Sequence, residues 1–233
     1  MVEIPLDKGE GYTFSMKRRR LAKRKHLLWF LYYKLLRSST RFTLDGVEYP
    51  YFYHRYNRSW RNERVVEVPI IKHILDSIPG ARVLEVGNVL SHYFPIKHDI
   101  VDKYEKAEGV VNEDVADLDR FGRYDLIVSI STLEHVGWDE EPRDPEKIPR
   151  AVETLKRCLA PGGRLVATLP IGYNPELDRM LDRGAIPFSG IGYLKRVSPD
   201  NEWKQVSWEE VRDSVYNRPY PAANALAVAT VEG

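Results

Sequence analysis

Short apolar runs of β type alternate with stretches of helical period through the middle of the chain. Residues 82–87, 98–102, 109–112, 124–130 and 164–170 read as strands, rich in Val, Ile and Leu, the first, second and last of them closed by glycine, acid and proline. The run 124–130 is almost wholly apolar, as a strand covered on both faces must be. Val152, Leu155 and Leu159 fall at i, i+3 and i+7, one face of a helix, and Pro161-Gly162-Gly163 predicts its stop and a turn into the next strand. A second helix is predicted from Pro69 to about residue 78, because proline belongs in the first turn. Residues 225–231 predict a last strand.

Strands alternating with helices imply an α/β fold, with a mostly parallel sheet joined by right-handed crossovers. Two parts are expected: a basic and aromatic N-terminal helical extension, 1–62, and the sheet-bearing domain, 63–233. At 43% hydrophobic residues the chain can bury a core of its own. The single cysteine, Cys158, excludes an intrachain disulfide and a cysteine-rich zinc site; on its helix it reads as a small core residue. The few histidines lack metal-ligand spacing, so no catalytic metal is expected. No run reaches the roughly 20 apolar residues that span a bilayer. The apolar run 27–36 lies too far in for a signal peptide and lacks a small-residue cleavage site. A cytoplasmic setting is expected.

Charge changes the picture only locally. Lys and Arg number 35 against 34 Asp and Glu, which argues against a dedicated nucleic-acid coat. Yet residues 17–25 hold seven basic side chains in nine, followed by the apolar, aromatic run 27–36. Residues 17–36 thus suit an anionic membrane surface, with basic groups on head groups and Trp29 and Phe30 in the acyl boundary, at the inner face of the membrane. Packing on the chain's own domain and RNA binding are the alternatives. The segments 49–64 and 188–208 crowd aromatics with arginines and are the expected acceptor-binding regions.

In an open parallel sheet ligands bind beyond the carboxyl ends of the strands. The strand ends here carry Glu85, Gly87 and Asn88, then Asp102, Asp114, and Ser129, Ile130 and Ser131. An acid ending the second strand can accept bonds from two ribose hydroxyls, and a glycine lets a ligand approach the backbone. Asp125 opens its strand and reads as structural.

These segments, VLEVGN (83–88), VDKYE (101–105), NEDVADL (112–118), YDLIVSISTLEHV (124–136) and LKRCLAPGGRLVATLP (155–170), occur in the order of the class I S-adenosylmethionine-dependent methyltransferases, which the chain resembles over about residues 80–171. The wider arrangement resembles small methyltransferases of surface-glycan assembly. The resemblance implies a Rossmann-like, mostly parallel seven-stranded sheet flanked by helices. It implies S-adenosylmethionine as cofactor: Glu85, Gly87 and Asn88 near the methionine part, Asp102 on the ribose, Asp114 and Val115 at the adenine, and Ser129, Ile130 and Ser131 along the amino-acid and sulfonium wall. The family's first loop carries further glycines, whereas this one reads Gly87-Asn88-Val89-Leu90-Ser91. The acceptor is expected to be an oxygen of a glycan, lipid-linked sugar or small metabolite, with His135 as its base and His92 a weaker candidate. The rivals are an RNA methyltransferase and a binding scaffold that has lost catalysis.

Overall fold

The structure, a computed structural model, describes residues 26–119 and 123–233. The basic run 17–25 lies outside the described residues. The chain divides into two compact units, one ending at Ser39 and one spanning Thr40–Gly233. In the first, residues 26–36 form helix α1, along which Trp29 meets Tyr32 edge-on, ring centroids 5.8 Å apart.

The division at Ser39, rather than the expected 62/63, has a local cause. β1 (Arg41–Leu44) and β2 (Val47–Pro50) pair antiparallel across Asp45-Gly46, whose φ angles are 51° and 79°. Two residues at positive φ make the turn whose twist matches a hairpin. Phe42, Leu44 and Tyr49 from this hairpin are buried in the core of the second unit.

That unit is built on an eight-stranded sheet of order β5-β4-β3-β6-β7-β10-β8-β9, where seven strands were expected. The strands are β3 (Val83–Val86), β4 (Asp99–Val101), β5 (Val110–Val111), β6 (Tyr124–Ile130), β7 (Leu159–Pro170), β8 (Gly190–Arg196), β9 (Trp203–Val206) and β10 (Ala225–Glu232). The first five run parallel, and β10, β8 and β9 add antiparallel. All five strands expected in the middle of the chain, and the last one, are present; β8 and β9 are additional. Between β3 and β4 the chain makes only a single 3₁₀ turn, Leu90–His92.

Helix α2 (Arg64–Asp76) starts five residues before Pro69, earlier than expected. A proline inside a helix frees the carbonyl four residues back. Here that carbonyl, on Val65, accepts the backbone N–H of Phe52 at 2.9 Å, so the proline leaves no orphan acceptor. Helix α3 (Lys147–Cys158) buries Ile148, Ala151, Val152 and Leu155, the spacing of one face. The expected turn at Pro161-Gly162-Gly163 lies inside β7 instead, as an irregularity between the pairs Tyr124↔Leu159 and Leu126↔Arg164. Gly163 is needed there, since a Cβ would come 2.7 Å from the Tyr124 carbonyl oxygen. Helix α4 (Pro175–Arg183) starts at Asn174, whose side chain accepts the N–H groups of Glu176 and Leu177.

Alternation along the strands divides the sheet into two cores. Leu84, Val86, Ile127, Leu165, Ala167 and Leu169 pack with α3 and α4 residues such as Leu155 and Leu177. Val83, Leu126, Val128, Ile130 and Val166 pack with α2 and the hairpin. Cys158 is buried with the first core, as expected for a core residue, and Asp125 accepts the N–H of Arg82 at the opening of β6, a structural role. Ile127→Ala is expected to cost about 2–5 kcal/mol, while Val111→Ala, on the exposed edge strand β5, costs under about 1 kcal/mol. Urea unfolding of both variants measures the difference; equal costs would contradict this placement of the core.

Candidate active site

The crossovers leave β3 in opposite directions. β4 and β5 extend the sheet on one side, β6 and β7 on the other, and the carboxyl ends of such strands flank a crevice suited to ligands. The chain bends sharply there. Gly87 has φ of +84°, and a Cβ on it would lie 2.1 Å from Thr132 Oγ1; only glycine fits. Its N–H donates to the Val101 carbonyl at 2.8 Å, tying the bend to β4.

Glu85 shapes the loop that follows. Its buried side chain accepts the N–H groups of Val89 at 2.9 Å and Leu90 at 2.8 Å on one oxygen, and the other oxygen lies 2.7 Å from His98 Nε2. Asn88 donates its backbone N–H to Asp102 Oδ2 at 3.3 Å and its side-chain amide to Glu105 at 2.8 Å. Asp102 follows β4 and accepts the N–H groups of Tyr104 (2.8 Å) and Glu105 (2.7 Å) on Oδ1. Among the described residues only the long Asn88 bond reaches its Oδ2, so lone pairs remain there for a ligand.

Beside these residues lies a cavity of about 300 Å³ whose apolar wall includes Val86, Val101, Val115 and Val136. Gly87, Asn88, Asp102, Asp114, Val115, Ser131 and His135, all singled out in the sequence, line it. Glu85, Ser129 and Ile130 do not. Glu85 stands behind the loop, Ser129 is buried within β6 with its hydroxyl unpartnered among the described residues, and Ile130 packs into the α2-side core. Residues 188–208 do not line the cavity. They are occupied in β8 and β9, where Trp203 N–H bonds the Tyr51 hydroxyl at 2.8 Å. The segment 49–64 approaches the rim through Tyr56, stacked on His92 at 4.5 Å, and His92 lies 3.3 Å from the cavity-lining Glu105.

Asp114 caps the turn Val115–Asp117 and anchors a network of charges at one end of the cavity. Lys147 reaches both Asp114 and Glu140 at 2.5 Å, and Lys103 lies 2.8 Å from Asp114 and 2.9 Å from Glu140. Burial alone would raise the Asp114 carboxyl; hydrogen bonds from Lys103 and Lys147 outweigh it and hold it at about 2. His135, half exposed, bonds Asp139 through Nδ1 at 2.6 Å, and the Tyr173 hydroxyl donates to the same Asp139 oxygen at 2.6 Å. Its Nε2 lies 3.6 Å from Glu134 Oε1.

Sequence reasoning missed Thr132, Lys103, Glu105 and Glu140 in the cavity, and a set of buried charges behind it. Glu67 is fully buried, ion-paired with Arg64, and accepts the hydroxyls of Ser131 and Thr168 at 2.5 and 2.7 Å. No periodicity marks a buried charge. The one available signal is Glu67 lying among Val65, Val66, Val68 and Ile70 in a helix buried nearly all round. Among the described residues no group of three or more His, Cys, Asp or Glu side chains is placed to hold a metal ion.

No family model matches the chain, and no curated protein matches it. Among solved structures it is similar to the N-methyltransferase NodS of Bradyrhizobium japonicum in complex with S-adenosylhomocysteine, at 13% identity, over 73% of this chain and 87% of that one, with a TM-score of 0.48. It is also similar to the 1,6-didemethyltoxoflavin-N1-methyltransferase of Burkholderia thailandensis, at 17% identity, over 99% and 92% of the two chains, with a TM-score of 0.45.

The charge network predicts a pH signature. An acid held below its ordinary value stabilises the fold fully above its unfolded-state value, and that stability is lost as pH falls toward the folded value. Stability measured from about pH 4 down to pH 2 should therefore fall more steeply in the parent than in Asp114→Asn, since Asp114 titrates at about 2 in the fold. Equal slopes would mean that the network contributes nothing.

Proposed function

We propose that this chain is a class I S-adenosylmethionine-dependent methyltransferase acting on a small polar acceptor such as a glycan, a lipid-linked sugar or a metabolite. The observation that carries the reading is that Gly87 and Asp102 face one cavity at the carboxyl rim of the parallel strands. The residues present fit the cofactor: a glycine cradle that a Cβ would fill, a carboxylate with free lone pairs, and valines on the wall.

S-adenosylmethionine would supply an electrophilic methyl group on a cationic sulfur. Asp102 would accept the ribose hydroxyls through Oδ2. Val86, Val101, Val115 and Val136 would flank the adenine, with Asp114 and its two lysines closing that end. The bare Cα of Gly87 and the Asn88 side chain would admit the methionine part, and Ser131, on the cavity wall, would face the sulfonium. Glu85 acts at one remove, by holding Val89 and Leu90 in place. The chain's main contribution is positioning, which holds the acceptor in line behind the methyl and excludes water.

For a hydroxyl acceptor His135 is the base. Asp139 bonds Nδ1, which leaves Nε2 on the ring's other edge, 3.6 Å from Glu134 Oε1, as the basic nitrogen. The exposed face of Tyr56 at the rim suits a sugar ring.

Calorimetric titration with S-adenosylhomocysteine tests the cofactor site. The parent should bind, and Asp102→Ala should weaken binding by about tenfold or more, as expected for lost hydrogen bonds to a charged group. Absence of heat with the parent would favour a scaffold without catalysis.

No helix among the described residues is long and apolar enough to cross a membrane. The basic run 17–25 joined to helix α1 supports a further reading, association of residues 17–36 with an anionic membrane surface. The protein should sediment with anionic vesicles and lose that binding when residues 1–38 are deleted; vesicle binding that survives the deletion would overturn this assignment. RNA binding through the same residues would instead weaken steeply with salt.

A further inference from the structure

The amino ends of the parallel strands border another cavity, of about 610 Å³, large enough for a small organic ligand. Three segments meet there: 78–83 leading into β3, 97–99 leading into β4, and Arg123 and Tyr124 at the opening of β6. Leu75, Ile78 and Val83 give it apolar surface.

The charges on its lining do not cancel. Arg82, Lys97 and Arg123 are each positive, against one carboxylate, Asp99, which leaves a surplus of two. Lys97 is exposed and, among the described residues, has no carboxylate partner. Arg82 lies 4.0 Å from Asp125 with both side chains well exposed, a pairing that holds a charge only weakly. Arg123 donates Nη1 to the carbonyls of Arg157 and Leu159, which orients its guanidinium without neutralising it. Asp99 already accepts the Tyr124 hydroxyl at 2.9 Å, and His98 has its Nε2 on Glu85. The carboxyl end of α2 borders the cavity too, and the negative end of a helix opposes an anion. There, however, the carbonyls of His73, Ile74 and Leu75 already accept the N–H groups of Ser77 and Ile78.

Like charges gathered around one concavity repel one another, and a bound anion relieves that repulsion. A carboxylate brings one negative charge. A phosphate monoester brings about −1.5 to −2 near neutral pH and three acceptor oxygens. The monoester matches both the surplus of two and the planar forks of Arg82 and Arg123.

We propose that this cavity is a second binding site, separate from the cofactor site, for a small organic phosphate monoester. Its phosphate sits among Arg82, Lys97 and Arg123, and its organic part lies against Leu75, Ile78 and Val83. The inference does not depend on the methyltransferase reading.

The test titrates phenyl phosphate into the isotope-labelled full chain and follows the backbone amide resonances. Benzoate serves as the carboxylate probe and inorganic phosphate as the probe without an organic part. Phenyl phosphate should shift the amides of 78–83, 97–99 and 123–124 with a Kd of about 1 mM or tighter, and bind at least about fivefold more tightly than either other probe. Arg82→Ala combined with Lys97→Ala should weaken it at least about tenfold, and Lys97→Glu alone should do the same by reversing one charge. Both side chains are exposed, and amide resonances elsewhere that match the parent's show that each variant is folded. No shift in these segments at about 10 mM phenyl phosphate overturns the proposal. So does equal binding of benzoate or inorganic phosphate, or binding by Lys97→Glu as tight as the parent's.

Discussion

A carboxylate buried at a strand end must find donors or lose its charge, and Glu85 finds three: the N–H groups of Val89 and Leu90 and the ring of His98. Those bonds determine the path of the loop after β3. The loop lacks the additional glycines usual in the family it resembles, so its course cannot come from a freely turning backbone. It comes from a single left-handed residue, Gly87, fitted under Thr132, and from a carboxylate that holds the next residues in place. With that loop fixed, the N–H of Asn88 points at Asp102, and the ends of β3 and β4 close on a common cavity.

The same economy governs the charged groups around the site. Asp114 and Glu140 share two lysines at one end, an arrangement in which every charge is paired. Behind Ser131, Glu67 is paired with the guanidinium of Arg64, and burial pushes the Glu63 and Glu134 carboxyls above their ordinary values. Buried ion pairs seldom add net stability, because desolvation consumes the Coulombic gain.

Much of the framework was legible because parallel strands covered on both faces must be apolar, and β3, β4, β6 and β7 obey that rule. The segments that follow the parallel strands named part of the cavity: Gly87, Asn88, Asp102, Asp114, Ser131 and His135. The hairpin β1–β2 was legible in principle from Asp45-Gly46 between Phe42, Leu44, Val47 and Tyr49, but the surrounding aromatics and arginines drew the segment into the extension. β8 was hidden by its glycines and charged residues, since an outer strand need bury only one face. The start of α2 was hidden by Pro69, whose cost is offset by Phe52, distant in sequence. Glu85 matched its motif, but its role became clear only from the donors folded around it. Glu67 and Glu134 were out of reach, because burial of a charge is decided by tertiary contacts.

A second cavity, of about 610 Å³, lies at the opposite end of the strands beside Arg82, His98, Asp99 and Tyr124, so the position of the ligand is itself a test. Backbone hydrogen exchange followed by mass spectrometry, with and without S-adenosylhomocysteine, decides between the two ends. Slower exchange confined to segments 86–91, 101–105, 113–116 and 131–136 is the predicted result. Slowing at 78–83 and 97–99 instead, or no change anywhere, would contradict a cofactor site built on Gly87 and Asp102.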